Sequence, residues 1–108
     1  MTFKQKQLNL LGLSLRASKL ISGDEQVEKG IKKGKVCLIL VANDASLATR
    51  ERYQKMSIQY NVPIHISLNR YEISHAIGKS RTICGITDHG ISQKFLSYVT
   101  GVENMNDK

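Results

Sequence analysis

The sequence predicts an α/β fold, a three-layer α/β/α sandwich with a mainly parallel or mixed sheet, and three observations carry that prediction. Helical and strand periodicities alternate along the chain as αβαβαβαβα. No linker, internal repeat or low-complexity tract interrupts the alternation. The length of 108 residues, 41% of them hydrophobic and 23% charged, suits one real core and leaves little room for two. Residues 1–102 are therefore expected to form a single domain, and the polar residues 103–108 a frayed tail.

Each element has its own signal. Over residues 4–18, Leu8, Leu11 and Leu15 recur at helical spacing, with Leu10 and Ala17 widening the stripe. Leu20-Ile21-Ser22 is a short apolar stretch. Gly23-Asp24-Glu25 opens a second helix with acidic residues in its first turn, where they complement the helix dipole. Val27 and Ile31 face inward on it, and Lys32-Lys33-Gly34 ends it. Val36–Val41 is an apolar run of six residues, the mark of a strand buried on both faces. Asp44 or Ser46 caps a third helix with the stripe Thr49, Tyr53, Met56 and Tyr60. Pro63 precedes the alternating strand Ile64-His65-Ile66. Asn69-Arg70-Tyr71-Glu72 fits a capping box for a fourth helix that runs to Gly78, with Ile73, Ala76 and Ile77 inward. Ile83–Ile86 is the next strand, and Asp88 starts a last helix with Ile91, Phe95, Tyr98, Val99 and Val102 inside.

Composition narrows the partners. Sixteen Lys and Arg against nine Asp and Glu give +7, and the pI is about 9.6. That imbalance favours nucleic acid over a merely soluble basic protein. No apolar run approaches the roughly 18 residues of a membrane span, and the N-terminal apolar run, interrupted by Gly12, is followed by no small-residue cleavage site. A cytoplasmic location is expected. Cys37 and Cys84 read as buried reduced thiols rather than a disulfide or a catalytic thiol.

Catalytic and cofactor patterns find little support. Gly78-Lys79-Ser80 resembles the end of a phosphate-binding loop, but Ile73 stands where a glycine is needed and the segment leaves a helix instead of entering one. No GxGxxG or GxSxG is present. His65, His75 and His89 are ten and fourteen residues apart, and none pairs with a Cys or carboxylate at metal-ligand spacing. They read as structural or surface residues. No cofactor or metal is expected, and the chain is not read as an enzyme.

The positive charge has a place. On the second helix, Lys29 and Lys33, flanked by Lys32, lie roughly opposite Val27 and Ile31, so one face packs and the other is basic. Its first turn adds free backbone N–H groups. A second cluster comprises Arg70 and then Lys79-Ser80-Arg81 in the loops around the fourth helix. If the second helix's start and the Lys79–Thr82 loop share one end of the sheet, they form one basic site. Aromatics at 6% are too sparse for a sheet that stacks bases.

Read together, Gly23-x-x-x-Val27-x-Lys29-x-Ile31-x-x-Gly34, Leu38-Ile39-Leu40-Val41-Ala42-x-Asp44-Ala45-Ser46, Tyr60-Asn61-Val62-Pro63 and His75-Ala76-Ile77-Gly78-Lys79 resemble the kink-turn-binding ribosomal protein family of the L-seven-Ae type, and most closely its short bacterial YlxQ-like branch. The resemblance spans about residues 8–100. It implies a four-stranded mixed sheet and binding to kink-turns, sharp bends in duplex RNA flanked by sheared G·A pairs. It also implies that the start of the second helix reads guanine edges, that the loop after the fourth helix covers extruded nucleotides, and that a basic rim holds phosphates. The implied RNA-binding residues are Gly23, Asp24, Glu25, Gln26, Lys29, Lys32, Lys33, Arg70, Lys79, Ser80, Arg81 and Thr82. Gly23 and Lys29 match the family's Gly-x-Asn-Glu-x-x-Lys, while its Asn falls on Glu25 and its Glu on Gln26. An ionised Glu25 accepts hydrogen bonds but donates none, Asp24 adds a negative group at the rim, and Lys79-Ser80-Arg81-Thr82 is more electrostatic than the family's often apolar loop. Reduced kink-turn affinity or a different RNA target follows.

The expected partner is structured RNA, a kink-turn or ribosomal RNA, with the ribosome or a translation-associated protein as a further partner, and neither membrane nor DNA. The competing reading is a protein-interaction adaptor of the translation machinery that binds RNA incidentally, motivated by Asp24 and Glu25.

Overall fold

The computed structural model describes residues 1–99. In chain order it contains α1 (Phe3–Arg16), β1 (Leu20–Ser22), α2 (Asp24–Lys32), β2 (Leu38–Val41), α3 (Leu47–Tyr60), β3 (Ile64–His65), α4 (Arg70–Ile77), β4 (Ile83–Ile86) and α5 (His89–Ser97). The alternation of the sequence is present element for element. Val102, the boundary placed at residue 102 and the tail 103–108 lie outside the described residues.

The four strands form one mixed sheet in the order β1-β4-β2-β3. β4 runs antiparallel to both neighbours, with Ser22 opposite Cys84 and Val41 opposite Ile83. β2 and β3 are parallel, with Leu40 opposite His65. The pleat of β2 divides the apolar residues between two cores. Leu38, Leu40 and Ala42 pack with Leu11, Ile73, Ile77 and Phe95. Ile39 and Val41 pack on the other face with Val27, Ile31, Tyr53 and Met56. Helices α1, α4 and α5 thus cover one face and α2 and α3 the other, giving the α/β/α sandwich. Gly30 lets α2 lie close to the sheet: a Cβ there would stand 2.7 Å from Ile21 Cδ1 and 3.0 Å from Val36 Cγ2.

Local chemistry sets the boundaries. Thr2 caps α1, accepting from Gln5 N at 3.1 Å while Gln5 Oε1 accepts from Thr2 N at 3.1 Å. Ser18 adopts a left-handed φ of 59°, so α1 stops at Arg16 and Ala17 is exposed instead of completing the stripe. The strand expected from Val36 begins at Leu38, because Val36 turns into the core beneath α2. Cys37, expected to be buried, is only half-buried there, whereas Cys84 is buried and burial pushes its thiol up to about 12. Ser46, not Asp44, caps α3, accepting from Thr49 N at 3.2 Å. On that helix Tyr53 and Met56 are buried, while Thr49 and Tyr60 are half-buried. Asp44 instead accepts from Arg70 N at 2.9 Å.

β3 is only Ile64–His65. The capping box of α4 is present, with Asn69 Oδ1 accepting from Glu72 N at 2.8 Å and Glu72 Oε1 from Asn69 N at 2.9 Å. Asp88 caps α5 at 2.8 Å, and Phe95 is its fully buried anchor. His65 is a core residue, edge-on to Phe95 at 5.3 Å and 2.5 Å from Ser67 Oγ, and burial lowers its pKa. His75 and His89 are exposed.

Candidate nucleic-acid interface

At one end of the sheet, β1 and β2 finish and β4 begins. Three backbone bonds hold this end together: Gly23 N to Ile83 O at 2.9 Å, Ala42 N to Thr82 O at 2.8 Å, and Asn43 N to Leu68 O at 2.9 Å. The chain turns from β1 into α2 on Gly23, whose φ of 95° is one that L side chains rarely adopt. Gly23 supplies no side chain to cap α2. The first N–H groups of α2 therefore face outward without a side-chain acceptor, at the positive end of the helix dipole.

The Lys79–Thr82 loop reaches the same place. Gly78, with a left-handed φ of 78°, ends α4 and sends Lys79 and Ser80 into solvent. Ser74 Oγ then pins the loop back on α4, accepting from Arg81 N at 3.0 Å and donating to Arg81 O at 3.1 Å. The Arg81 guanidinium lies across the start of α2, donating from Nε to Ser22 Oγ at 3.2 Å and from Nη1 to Ser80 O at 2.8 Å. A Cβ on Gly23 would stand 3.6 Å from Arg81 Nε. The two segments thus share an end of the sheet, and Gly23, Asp24, Glu25, Gln26, Ser80, Arg81 and Thr82 gather there, with Lys79 beside them. Arg70 joins the same end from the β3 side through its bond to Asp44.

Two predicted residues stand apart. α2 runs back along the sheet, so Lys32 is eight residues and about 12 Å from Asp24, and Lys33 lies just beyond it. Nor is the lysine face free. Lys29 pairs with Glu25 at 3.6 Å and Lys32 with Glu28 at 3.0 Å, both at i,i+4 spacing. The bond to Glu28 raises the Lys32 pKa. Of the predicted site residues, Lys33, Arg70, Lys79 and Arg81 have no carboxylate within 4.0 Å among the described residues, so the site's uncommitted positive charge sits mainly around the loops.

Asp24, expected as a negative group at the rim, is turned toward α3. Arg52 Nη2 donates to both its carboxylate oxygens at 2.6 Å, and the Tyr53 hydroxyl bonds both that carboxylate and, at 3.0 Å, the Asp24 carbonyl. Arg52 Nη1 also reaches Glu28 at 2.8 Å. The Arg52 hydrogen bond, aided by the Tyr53 hydroxyl, holds the Asp24 carboxyl below the ordinary carboxylate range. Glu25 and Gln26 are left on the outer side of the turn, both exposed. The sequence reading missed Arg52 and Tyr53 because their partner is 28 and 29 residues away, and Tyr53 had the spacing of an ordinary core residue.

These features define an α/β/α sandwich protein with an open helix start and a cationic loop at one end of a mixed sheet. Residues 5–96 match the model of the ribosomal protein L7Ae/L30e/S12e/Gadd45 family, and the chain belongs to that family. It is 39% identical over 98 residues to the RNA-binding protein YlxQ of Enterococcus faecium, covering 91% of this chain and 95% of that one. It is 35% identical over 89 residues to the RNA-binding protein YlxQ of Bacillus subtilis (strain 168), covering 82% and 89%. Among solved structures, a protein of unknown function from Bacillus halodurans superposes with a TM-score of 0.83 at 36% identity, covering 86% of this chain and 95% of the other. The Giardia lamblia 15.5kD RNA binding protein shares the fold with a TM-score of 0.74 at 18% identity, covering 95% and 89%.

Proposed function

We propose that this chain is a non-enzymatic RNA-binding protein that recognises bent, structured RNA of the kink-turn type in the cytoplasm, in ribosomal or other translation-associated RNA. The observation that carries the reading is the meeting of the uncapped first turn of α2 with Arg81 and the Lys79–Thr82 loop. The two YlxQ relatives, named as RNA-binding proteins, support it. Backbone N–H groups and the Gln26 amide of α2 meet base edges and sugar oxygens in the distorted groove, while Lys79, Arg81 and Arg70 hold the phosphates on either side. Glu25 accepts a guanine amino proton, and Lys29, released from Glu25, donates to O6 or N7.

The test is a mobility-shift titration of a kink-turn RNA against a straight duplex of equal length. Tighter binding to the kinked RNA is expected. Lys29→Ala should weaken that complex by about 1–3 kcal/mol and leave the straight duplex nearly unchanged. Equal, weak binding to both RNAs, abolished together by added salt, would reject structure-specific recognition. The adaptor reading draws on the acidic character of the same turn, which Glu25 retains at its outer side while Arg52 engages Asp24. A protein partner that stays bound after nuclease treatment of the lysate would favour it.

A further inference from the structure

Outside the surface already described, an open groove of about 370 Å³ runs between α1 and α4. Its outer lip is aromatic. Tyr71 is 73% exposed, and its ring lies nearly parallel to that of His75, at a 13° interplanar angle and 5.8 Å between centroids. Neither ring is needed by the core, which α4 enters through Ile73 and Ile77. A tyrosine stacked on a neighbouring ring at the surface and otherwise open to water is a flat apolar face without a partner.

The geometry of α4 joins this face to the interface. At about 100° per residue, Arg70 and Ser74 turn toward the Arg81 loop, as the Ser74–Arg81 bonds record. Glu72 and Ala76 turn toward α1, as Lys4 on Glu72 at 2.9 Å and the close approach of Gly12 to Ala76 O record. Tyr71 and His75 lie between these two sides. A strand leaving the start of α2 over Arg81 therefore has only the width of α4, about 10 Å, to cross before it meets them.

Charge selects the occupant. Arg70 stands at one side of the shelf and Arg16 lines the groove at the other, both exposed. The carboxylate of the groove, Glu72, is already engaged by the Asn69 N–H and by Lys4, which hold its pKa down. The Asn9 amide in the groove both donates and accepts, as base edges require. The geometry points to a second RNA contact on this protein, in which Tyr71 with His75 forms a stacking shelf for an unpaired base just outside the bent duplex, and Arg16 and Arg70 hold the flanking phosphates. This inference rests on the RNA-binding reading above and extends it from duplex to the single strand beside it.

The test uses the full chain with kinked and straight duplexes, each blunt or carrying a short single-stranded extension with 5-iodouridine, placed at either stem end in turn. The extension at one end should tighten binding about five- to a hundred-fold, the range of one stacked base. Tyr71→Ala should remove that gain and leave blunt RNAs unaffected, while Tyr71→Phe should keep it. Ultraviolet crosslinks from the extension should map to Tyr71 or His75. An extension that adds nothing at either end, or a gain that survives Tyr71→Ala, overturns the shelf. Kink discrimination without an extension effect removes the shelf alone. An extension effect on straight and kinked RNA alike removes kink selectivity and leaves the shelf standing. Absence of binding to every RNA overturns both. Loss of a nuclease-resistant protein partner in Tyr71→Ala, with all RNA affinities unchanged, overturns the RNA assignment and gives the groove to a protein.

Discussion

Asp24 is the residue whose meaning changes most between the one-dimensional pattern and the folded chain. As a letter in a first turn it repels phosphate. In place, Arg52 and Tyr53 take up its charge and hydrogen-bonding capacity, so the residues offered to a ligand are Glu25 and Gln26. Its lowered pKa means that the folded state stays ionised where the unfolded chain begins to protonate. The stabilisation is therefore complete above about pH 4 and is lost as pH falls from there through the folded value. The Asp24 side chain is 56% exposed and Arg52 39%, so solvent screening keeps the contribution small. In Arg52→Gln, the carboxyl midpoint of Asp24 followed by NMR should move upward toward the ordinary value, and an unchanged midpoint would show that Arg52 is not its principal partner. His65 has the same sign at a higher pH. Burial keeps its ring neutral, so its contribution is full above about pH 6.5 and declines as pH falls below that value. The urea midpoint should drop between pH 7 and pH 5 in the parent chain, and by less in His65→Gln.

Among the elements, α2 depends on how it starts. Gly23 is both the last residue tied to the sheet, through Ile83 O, and the residue with a φ of 95°. Gly23→Ala should cost about 1–3 kcal/mol in urea unfolding, and it should also weaken kinked-RNA binding, because relief of the strain moves the first turn. Stability loss with unchanged RNA affinity would separate the turn from the site.

The elements themselves were legible, because periodicity and caps are local: the Val36–Val41 run, the Asn69–Glu72 box and Asp88 each announced an element that is there. Ends decided by distant partners were not. Asp44 and Ser46 are equivalent caps on paper, and only the approach of Arg70 N to Asp44 distinguishes them. The convergence of α2's start with the Arg81 loop was legible only as a condition on topology, since it depends on β1 lying beside β4. The Arg52 link between α3 and α2 left no pattern at all.

For the molecule as a whole, ion pairing leaves the net charge at +7 but ties up part of the lysine face of α2. Lys29, Lys32 and Arg52 are already matched by Glu25, Glu28 and Asp24. Around the candidate interface, Arg70, Lys79 and Arg81 have no carboxylate within 4.0 Å among the described residues. If these three meet phosphates, the logarithm of the RNA association constant should fall against the logarithm of salt concentration with a slope of about −2 to −3. A markedly steeper slope would mean that Lys32, leaving Glu28, and Lys33 also reach phosphates.

The sheet carries one more consequence. Its outer strands, β1 and β3, are three and two residues long, too short to template a foreign strand. Copies gathered at high local density along one RNA would find few open backbone groups at these edges through which to zip together.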